Sequence, residues 1–439
     1  MNIAKNFKKN IKNIGLFFLR LLRKIIPKGL KRHYHFLWAL FGAVFFRFPS
    51  RELKVIGVTG TSGKSTVVDL IAKILEEAGY KVAALSSIKF KIGEFEKKNE
   101  LRMTMPGRAA IQHFLREAVN MGCQFAIIEV ASEGILQYRD QFINFEAAVF
   151  TNLSPEHIET HGSFENYKNT KGEFFRKVKK IHIINLDDEN AKYFLGLPSD
   201  EKWVFGINHK FENPDWKFVK ATQIKANSNG IEFMVEDTMF HLKLLGNFNI
   251  YNSLAAISLA LSQGVDLKTC KIALEKAEGI PGRMEKVISS PFSVFVDYAI
   301  TPNALRQIYE TLTVNYKLPT TRLICVLGAC GGGRDKWKRP LFGELASKYC
   351  DEVIITNEDP YDEDPLEIIK QVVSGTKGKA KTILERRQAI REALRTAKEK
   401  DVVVITGKGC EPSICITGGK RIPWDDRQVV REEFKSLKL

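Results

Sequence analysis

From Leu53 onward the chain alternates short apolar runs with longer stretches of helical spacing. "KVIGVTG" (54–60) is an apolar run closed by glycine. "STVVDLIAKILEEAGY" (65–80) then sets Val68, Ile71, Ile74 and Leu75 on one helical face. "KVAALSS" (81–87), "FAIIEVAS" (125–132), "AAVFTNL" (147–153) and "KIHIINLDDEN" (180–190) read as further buried strands that end in polar residues. Strands alternating with helices predict a parallel α/β sheet. Ligands of such sheets sit at the carboxyl ends of the strands, which is where Gly60 to Ser65, Glu129 and Asn152 fall.

Between 200 and 245 the pattern changes to short alternating strands with "NSNG" as a turn, and a helix is expected from Asn252 to Gln263. "EGIPGRMEKV" (278–287) carries Pro281 and Gly282 and reads as an interdomain linker. A second alternating run follows in "FSVFVDYA", "RLICVLGACGGG", "DEVIITNEDP" and "DVVVITGKG". The expected organisation is an N-terminal segment 1–51, a central domain 52–280 and a C-terminal domain 281–439.

Composition changes this picture in one place. The 439 residues are 44% hydrophobic and 27% charged, ordinary globular values, but the net charge is +16. Residues 1–51 hold 12 Lys and Arg and no acid, which leaves +4 for the other 388 residues. The charge belongs to a tail, so a nucleic-acid partner is not expected. That tail has two apolar stretches, "IGLFFLRLLRKII" (14–26) and "FLWALFGAVFF" (36–46). A spanning helix needs about 20 apolar residues, so neither crosses a bilayer comfortably. Contact with an anionic membrane surface and packing of 36–46 on the body are the two leading readings. The seven cysteines make no Cys-x-x-Cys pair, which argues against a disulfide framework or zinc ribbon and favours a reduced, cytoplasmic setting, peripheral to the membrane if the tail binds it.

"GVTGTSGKST" (57–66) misses the usual phosphate-loop pattern by one place, because Val58 stands where a glycine is expected four residues before Gly63. Its position between strand and helix still points backbone N–H groups and a helix dipole at a phosphate. Lys64 would reach the outer phosphates, with Ser65 or Thr66 on Mg²⁺.

Several blocks together resemble the Mur ligases, the ATP-dependent amide-forming enzymes of peptidoglycan precursor synthesis, and most of all the branch that adds the third stem-peptide residue. They are "GVTGTSGKST", "IIEVAS", "TNLSPEHIETHGSFENYKNTKGEFF", "NLDDEN", "LGNFNIYN", "PGRMEKV", "VDYAITPNAL", "GACGGGRDKWKRP", "TNEDPYDEDP", "GKGCE" and "WDDRQVVREE", in the family's order from 53 to about 432. The resemblance implies an α/β protein with a central P-loop ATPase-like parallel-sheet domain and a C-terminal Rossmann-like domain, preceded here by a basic, apolar helical segment. It implies ATP and Mg²⁺ as cofactors. A muramoyl-peptide carboxylate would be activated as an acyl phosphate and attacked by an amino acid.

Residue by residue, the resemblance assigns the phosphate loop to Gly60, Thr61, Gly63, Lys64, Ser65 and Thr66. The metal ligands are Ser65, Glu129, His157 and Lys171, the last carbamylated, with His161 less firmly placed. With Lys64, the last three form the catalytic set. Asn249, Asn252, Arg283, Asp297, Tyr298, Arg334, Asp335 and Lys338 match ATP contacts. Thr104, Ser132, Arg139, Asp359, Tyr361 and Glu411 match substrate contacts.

The match breaks at four places. Residues 1–52 do not resemble the family's uridine-binding domain, which leaves a lipid-linked acceptor as one alternative to a UDP-sugar. Ile300 stands for a His, Ala131 and Glu133 for Ser and His, and Cys410 for a His. Tyr361 stands where an Arg reads the extra carboxylate of diaminopimelate, and Glu358, Asp359, Asp362 and Glu363 lie nearby. That pattern leans to lysine or ornithine over diaminopimelate. The rival readings are a folylpolyglutamate synthase-like ligase and a membrane-associated ATP-binding protein without turnover.

Overall fold

The computed structural model describes residues 28–101, 103–209, 213–316, 320–378 and 380–437; the apolar stretch 14–26 lies outside them. The first described element is helix α1 (Lys28–Phe45). An 11-stranded sheet follows, made of β1 (Lys54–Thr59), β2 (Val82–Leu85), β3 (Lys89–Ile92), β4 (Phe95–Lys98), β5 (Phe125–Glu129), β6 (Phe145–Phe150), β7 (Ile181–Asn185), β8 (Glu201–Gly206), β9 (Lys217–Asn227), β10 (Gly230–Val235) and β11 (Thr238–Leu242). Its order is β11-β10-β9-β8-β7-β6-β1-β5-β2-β3-β4. The strands from β2 to β9 run parallel, and an antiparallel pair extends each edge.

The period of two along β1 divides its residues between two cores. Ile56 and Val58 face one core with α2 (Lys64–Glu77), which contributes Val68, Ile71, Ile74 and Leu75. Val55 faces the other core with α3 (Arg108–Asn120) and α4 (Phe164–Lys177), through Ile111, Leu115, Phe174 and Phe175. Each such side chain contributes about 1.5–3 kcal/mol by leaving water, so the register of β1 holds both helix layers. α5 (Phe248–Ser262) joins the first core and starts four residues earlier than its periodicity suggested.

The second body holds a six-stranded sheet of β12 (Glu285–Ile288), β13 (Ser293–Asp297), β14 (Leu323–Leu327), β15 (Glu352–Ile355), β16 (Ala380–Thr382) and β17 (Val402–Thr406). Its order is β12-β13-β17-β14-β15-β16, parallel except at β12. The expected linker 278–287 therefore already includes the start of an edge strand. α6 (Pro302–Asn315) and α7 (Lys338–Tyr349) cover one face, while α8 (Arg386–Thr396) and α9 (Asp426–Ser436) cover the other. A hairpin of β18 (Ser413–Ile416) and β19 (Lys420–Pro423) closes one end.

Helix α1 lies on α3. A Cβ on Gly42 would stand 2.8 Å from Ala109 Cα, so the helices touch backbone to backbone. Ala39 and Ala43 are buried on this side, and Phe46 meets His113 edge-on at 5.3 Å. Arg116 donates to the Phe46 carbonyl at 3.0 Å and to Glu52 at 2.8 Å, which fixes the exit of the helix. Among the described residues no helix is long and apolar enough to cross a membrane. Replacing Gly42 with leucine forces the helices apart and costs about 1–3 kcal/mol of docking. The expected readout is faster amide hydrogen exchange across residues 33–46 than in the wild type, with β1 unaffected.

Candidate active site

The loop between β1 and α2 turns because two glycines accept backbone angles that other residues resist. Gly60 has φ 151° and Gly63 φ 81°. They also leave room: a Cβ on Gly60 would sit 2.0 Å from Thr151 Oγ1, and one on Gly63 2.4 Å from Asn252 Oδ1. Asn152, at the end of β6, pins the loop. Its carbonyl accepts from Thr61 N at 2.9 Å and its Oδ1 from Ser62 N at 2.9 Å.

Lys64 and Lys171 converge on one atom. Lys64 Nζ donates to the Gly60 carbonyl at 3.1 Å, and Lys171 Nζ, from α4, donates to the same oxygen at 2.9 Å. Lys64 also reaches the Thr61 carbonyl, and Lys171 the Thr59 hydroxyl at 3.3 Å. Burial pulls both amines below the ordinary lysine value, Lys171 far below it, with a smaller push from Arg283 on Lys64 and from Lys64 on Lys171. Glu129 opposes this from 3.9 Å. Its Oε2 accepts from Ser65 Oγ at 2.8 Å and from Ser87 N at 2.8 Å. The hydroxyl and carboxylate expected to share a metal are therefore in contact.

His157 has φ 57° and lies 3.6 Å from Glu133 Oε1. Burial, then Arg334, Lys171, Lys338 and Lys64, depress its imidazole to about 3, so it is neutral at pH 7 with a lone pair free to coordinate. His161 instead turns inward to Ser132 Oγ at 3.1 Å and Thr170 Oγ1 at 3.4 Å.

The second body closes over this floor. Lys338 Nζ pairs with Glu156 at 2.7 Å and donates to the Ile300 carbonyl at 3.0 Å, with both charges buried. Asp335 accepts from Glu159 N at 3.0 Å, and Glu159 accepts from Lys336 N at 2.9 Å. Arg283 lies 4.4 Å over the Tyr298 ring, while Asp297 accepts from Met284 N at 2.7 Å and Ala299 N at 2.6 Å. Asn252 donates to Asn249 Oδ1 at 2.9 Å, which orients the pair beside Gly63.

The result is one cleft of about 590 Å³ between the two bodies. It brings together every residue nominated from sequence except Asp335, which is turned into the interbody contact, and His161, which is turned inward to Ser132 and Thr170. Thr66 and Thr104 line it, as does Arg139, whose guanidinium donates to the Met105 carbonyl and to Gln137 at 2.8 Å.

At the far end, Lys408 is fully buried between Asp359, at 2.8 Å, and Glu411. Asp359 also accepts from Cys415 N at 2.7 Å. Burial beside Asp359 raises Glu358 to about 7, against the pull of Lys408 and Arg386. Tyr361 N donates to the Cys415 carbonyl, and Arg421, paired across the hairpin with Cys415, lines the cleft beside it.

Sequence reasoning missed Glu156, Glu159, Lys408 and Arg421. The first three lie inside the blocks "SPEHIET" and "GKGCE" and were legible as charges without partners. Arg421 lay in no block, and only strand pairing brings it to the cleft.

Two family models match the chain: the Mur ligase middle domain over residues 58–260 and the Mur ligase glutamate ligase domain over 282–409. A UDP-N-acetylmuramoyl-L-alanyl-D-glutamate–2,6-diaminopimelate ligase of Syntrophomonas wolfei is 37% identical over 407 residues, covering 90% of this chain and 81% of its own. A solved structure with the same ligase name is 28% identical, with a TM-score of 0.62 over 94% of this chain and 84% of that one. The folylpolyglutamate synthase of Mycobacterium tuberculosis has a TM-score of 0.69 at 17% identity, over 89% of this chain and 95% of its own, a likeness of fold alone. With its loop, paired lysines and two-body cleft, the chain belongs to the Mur ligase family and is an ATP-dependent acid–amino-acid ligase of peptidoglycan precursor synthesis.

Proposed function

We propose that the chain adds a diamino acid to the carboxylate of a muramoyl dipeptide, with the chemistry centred between Lys64, Glu129, His157 and Lys171. The observation that carries this reading is the convergence of Lys64 and Lys171 on the Gly60 carbonyl, beside the Ser65–Glu129 pair and beneath Arg334. Loop N–H groups and the start of α2 receive the phosphates of ATP. Lys64 exchanges its two carbonyl partners for outer phosphate oxygens. Asn249, Asn252, Arg283, Asp297, Tyr298, Arg334 and Lys338 hold the rest of the nucleotide, while Asp335 stays in the interbody contact. Thr104, Ser132 and Arg139 hold the acceptor so that its carboxylate takes the transferred phosphoryl group.

Mg²⁺ fits this floor. Ser65 and Glu129 supply hard oxygen donors in contact, and His157 is neutral. Bound there, the ion neutralises charge on the transferring phosphoryl group. Ser65, Glu129, His157 and Lys171 would hold it, Lys171 as its carbamate. Burial disfavours the charged form of the Lys171 amine, and the free amine would add to CO₂ with loss of one proton and become an anion.

For the amino acid, the acids near Tyr361 have partners of their own. Asp359 and Glu411 bind Lys408, Asp362 accepts from Gly418 N at 2.8 Å, and Glu363 pairs with Arg339 at 3.0 Å. They offer less to an incoming side-chain ammonium than their number suggested. Arg421 offers a cation for a second carboxylate, which favours diaminopimelate over lysine or ornithine, in line with the substrate in the relatives' names.

ADP release that requires both a muramoyl dipeptide and diaminopimelate is the expected outcome of a turnover assay. Lys64→Ala should lower it by about 10²-fold or more. ATP binding without acceptor-dependent ADP would reject the ligase reading. Lys171→Ala should fall comparably, and labelled bicarbonate should give a carbamate signal in the wild type that is absent from the variant. Arg421→Gln should raise KM for diaminopimelate by about 10–100-fold, the worth of a charged hydrogen bond, and leave lysine use unchanged. An equal loss for both amino acids would mean that Arg421 reads no second carboxylate.

A further inference from the structure

Helix α1 has two apolar faces. The inner one, made of Ala39, Gly42 and Ala43 with Phe46 beyond them, lies on α3. The outer one carries the larger side chains. Leu37 is 60% exposed, Phe41 56%, Val44 56% and Phe45 66%. At 100° per residue these four span an arc of about 100° on the helix. Trp38, Phe41 and Phe45 follow one another along it, with ring centroids 5.5 and 5.8 Å apart. A soluble surface seldom shows so many large apolar groups together, and such a patch marks a partner.

Charge chooses among the partners. The sequence before and around this face holds Lys28, Lys31, Arg32, Arg47 and Arg51, and residues 1–27 add seven Lys and Arg with no acid. Residues 14–26, if laid over the face, would set Arg20, Arg23 and Lys24 against these cations. A second copy would bring the same charges again. An anionic bilayer complements both the aromatic face and the cations around it.

The position of the helix ties this face to the cleft. Phe36 packs on Tyr138 and Phe142, with centroids 6.0 and 5.3 Å away, and Arg139 between them in sequence lines the acceptor end of the cleft. We propose that the outer face of α1, with the basic residues around it, docks the enzyme on an anionic membrane surface and holds the acceptor end of the cleft beside the bilayer. This goes beyond the ligase reading, which stands whether or not the protein binds lipid.

The test is co-sedimentation of the full chain with vesicles about one-third phosphatidylglycerol in phosphatidylcholine, set against phosphatidylcholine alone. Binding to the anionic vesicles only, weakened by added salt, is expected. The Leu37→Glu/Phe41→Glu variant should bind at least about tenfold more weakly while releasing ADP with a soluble acceptor at the wild-type rate. That activity shows the variant to be folded. Absence of binding to the anionic vesicles, or equal binding by the variant, overturns the proposal. So does lipid-independent self-association that the variant abolishes, which would seat a second copy on the face. A variant that binds no lipid less than the wild type but melts earlier would give the face to the chain's own first residues, with the same consequence.

Discussion

Two lysine amines share one carbonyl oxygen at the centre of this protein, and most of the site is arranged around the cost of charging both. Lys64 and Lys171 both donate to Gly60, and neither has a carboxylate within hydrogen-bond distance. Glu129, the nearest anion to Lys64, is already bonded to Ser65 and Ser87. Like charges brought together away from water repel strongly, so the pocket favours whatever supplies negative charge. A polyphosphate supplies it at Lys64. A carbamate would supply it at Lys171 by changing the sign of the side chain. Gly60 is what permits the arrangement, because a side chain there would collide with Thr151 and push the carbonyl off both lysines.

The same charge balance explains how the two bodies meet. In the cleft Lys338 neutralises Glu156, and Asp335 and Glu159 each accept a backbone N–H from the other's loop. Removing one partner of a buried pair leaves an uncompensated charge, a penalty of about 3–5 kcal/mol. The contact therefore works as a seal only while both are present. A nucleotide that reaches Lys338 must replace Glu156 as its partner, so binding and interbody geometry are coupled through a single lysine.

The strands, the loop and the order of the blocks were legible because each rests on local sequence. Period two marks β1, β5 and β6, and glycine marks the turn at 60–63. The elements that escaped depend on pairing between distant segments. Arg421 reaches the cleft because β19 pairs with β18 and β18 touches Tyr361. Apolar content alone did not decide between membrane and core for residues 36–46, since small residues face inward and large ones outward on one helix. The acids after Asn357 were visible as acids. That Lys408, Arg339 and a backbone N–H compensate most of them was not.

Those compensated acids carry the last step. A binding pocket is read from the groups left over after internal pairing, and here the cation left over at the amino-acid end is Arg421. Lys408 lies between Asp359 and Glu411, Arg386 is matched by Asp426 at 2.7 Å, and Glu358 is raised to about 7, so part of its population carries no charge at neutral pH. Arg421 stands at the exposed rim with no such buried partner among the described residues. A sequence count of four acids and a missing arginine suggests a pocket for an amine. Once each charge has its neighbour, the acids are largely taken up, and the cation left over, Arg421, lies on a hairpin strand outside the acidic block, which is the ground for the proposed carboxylate contact.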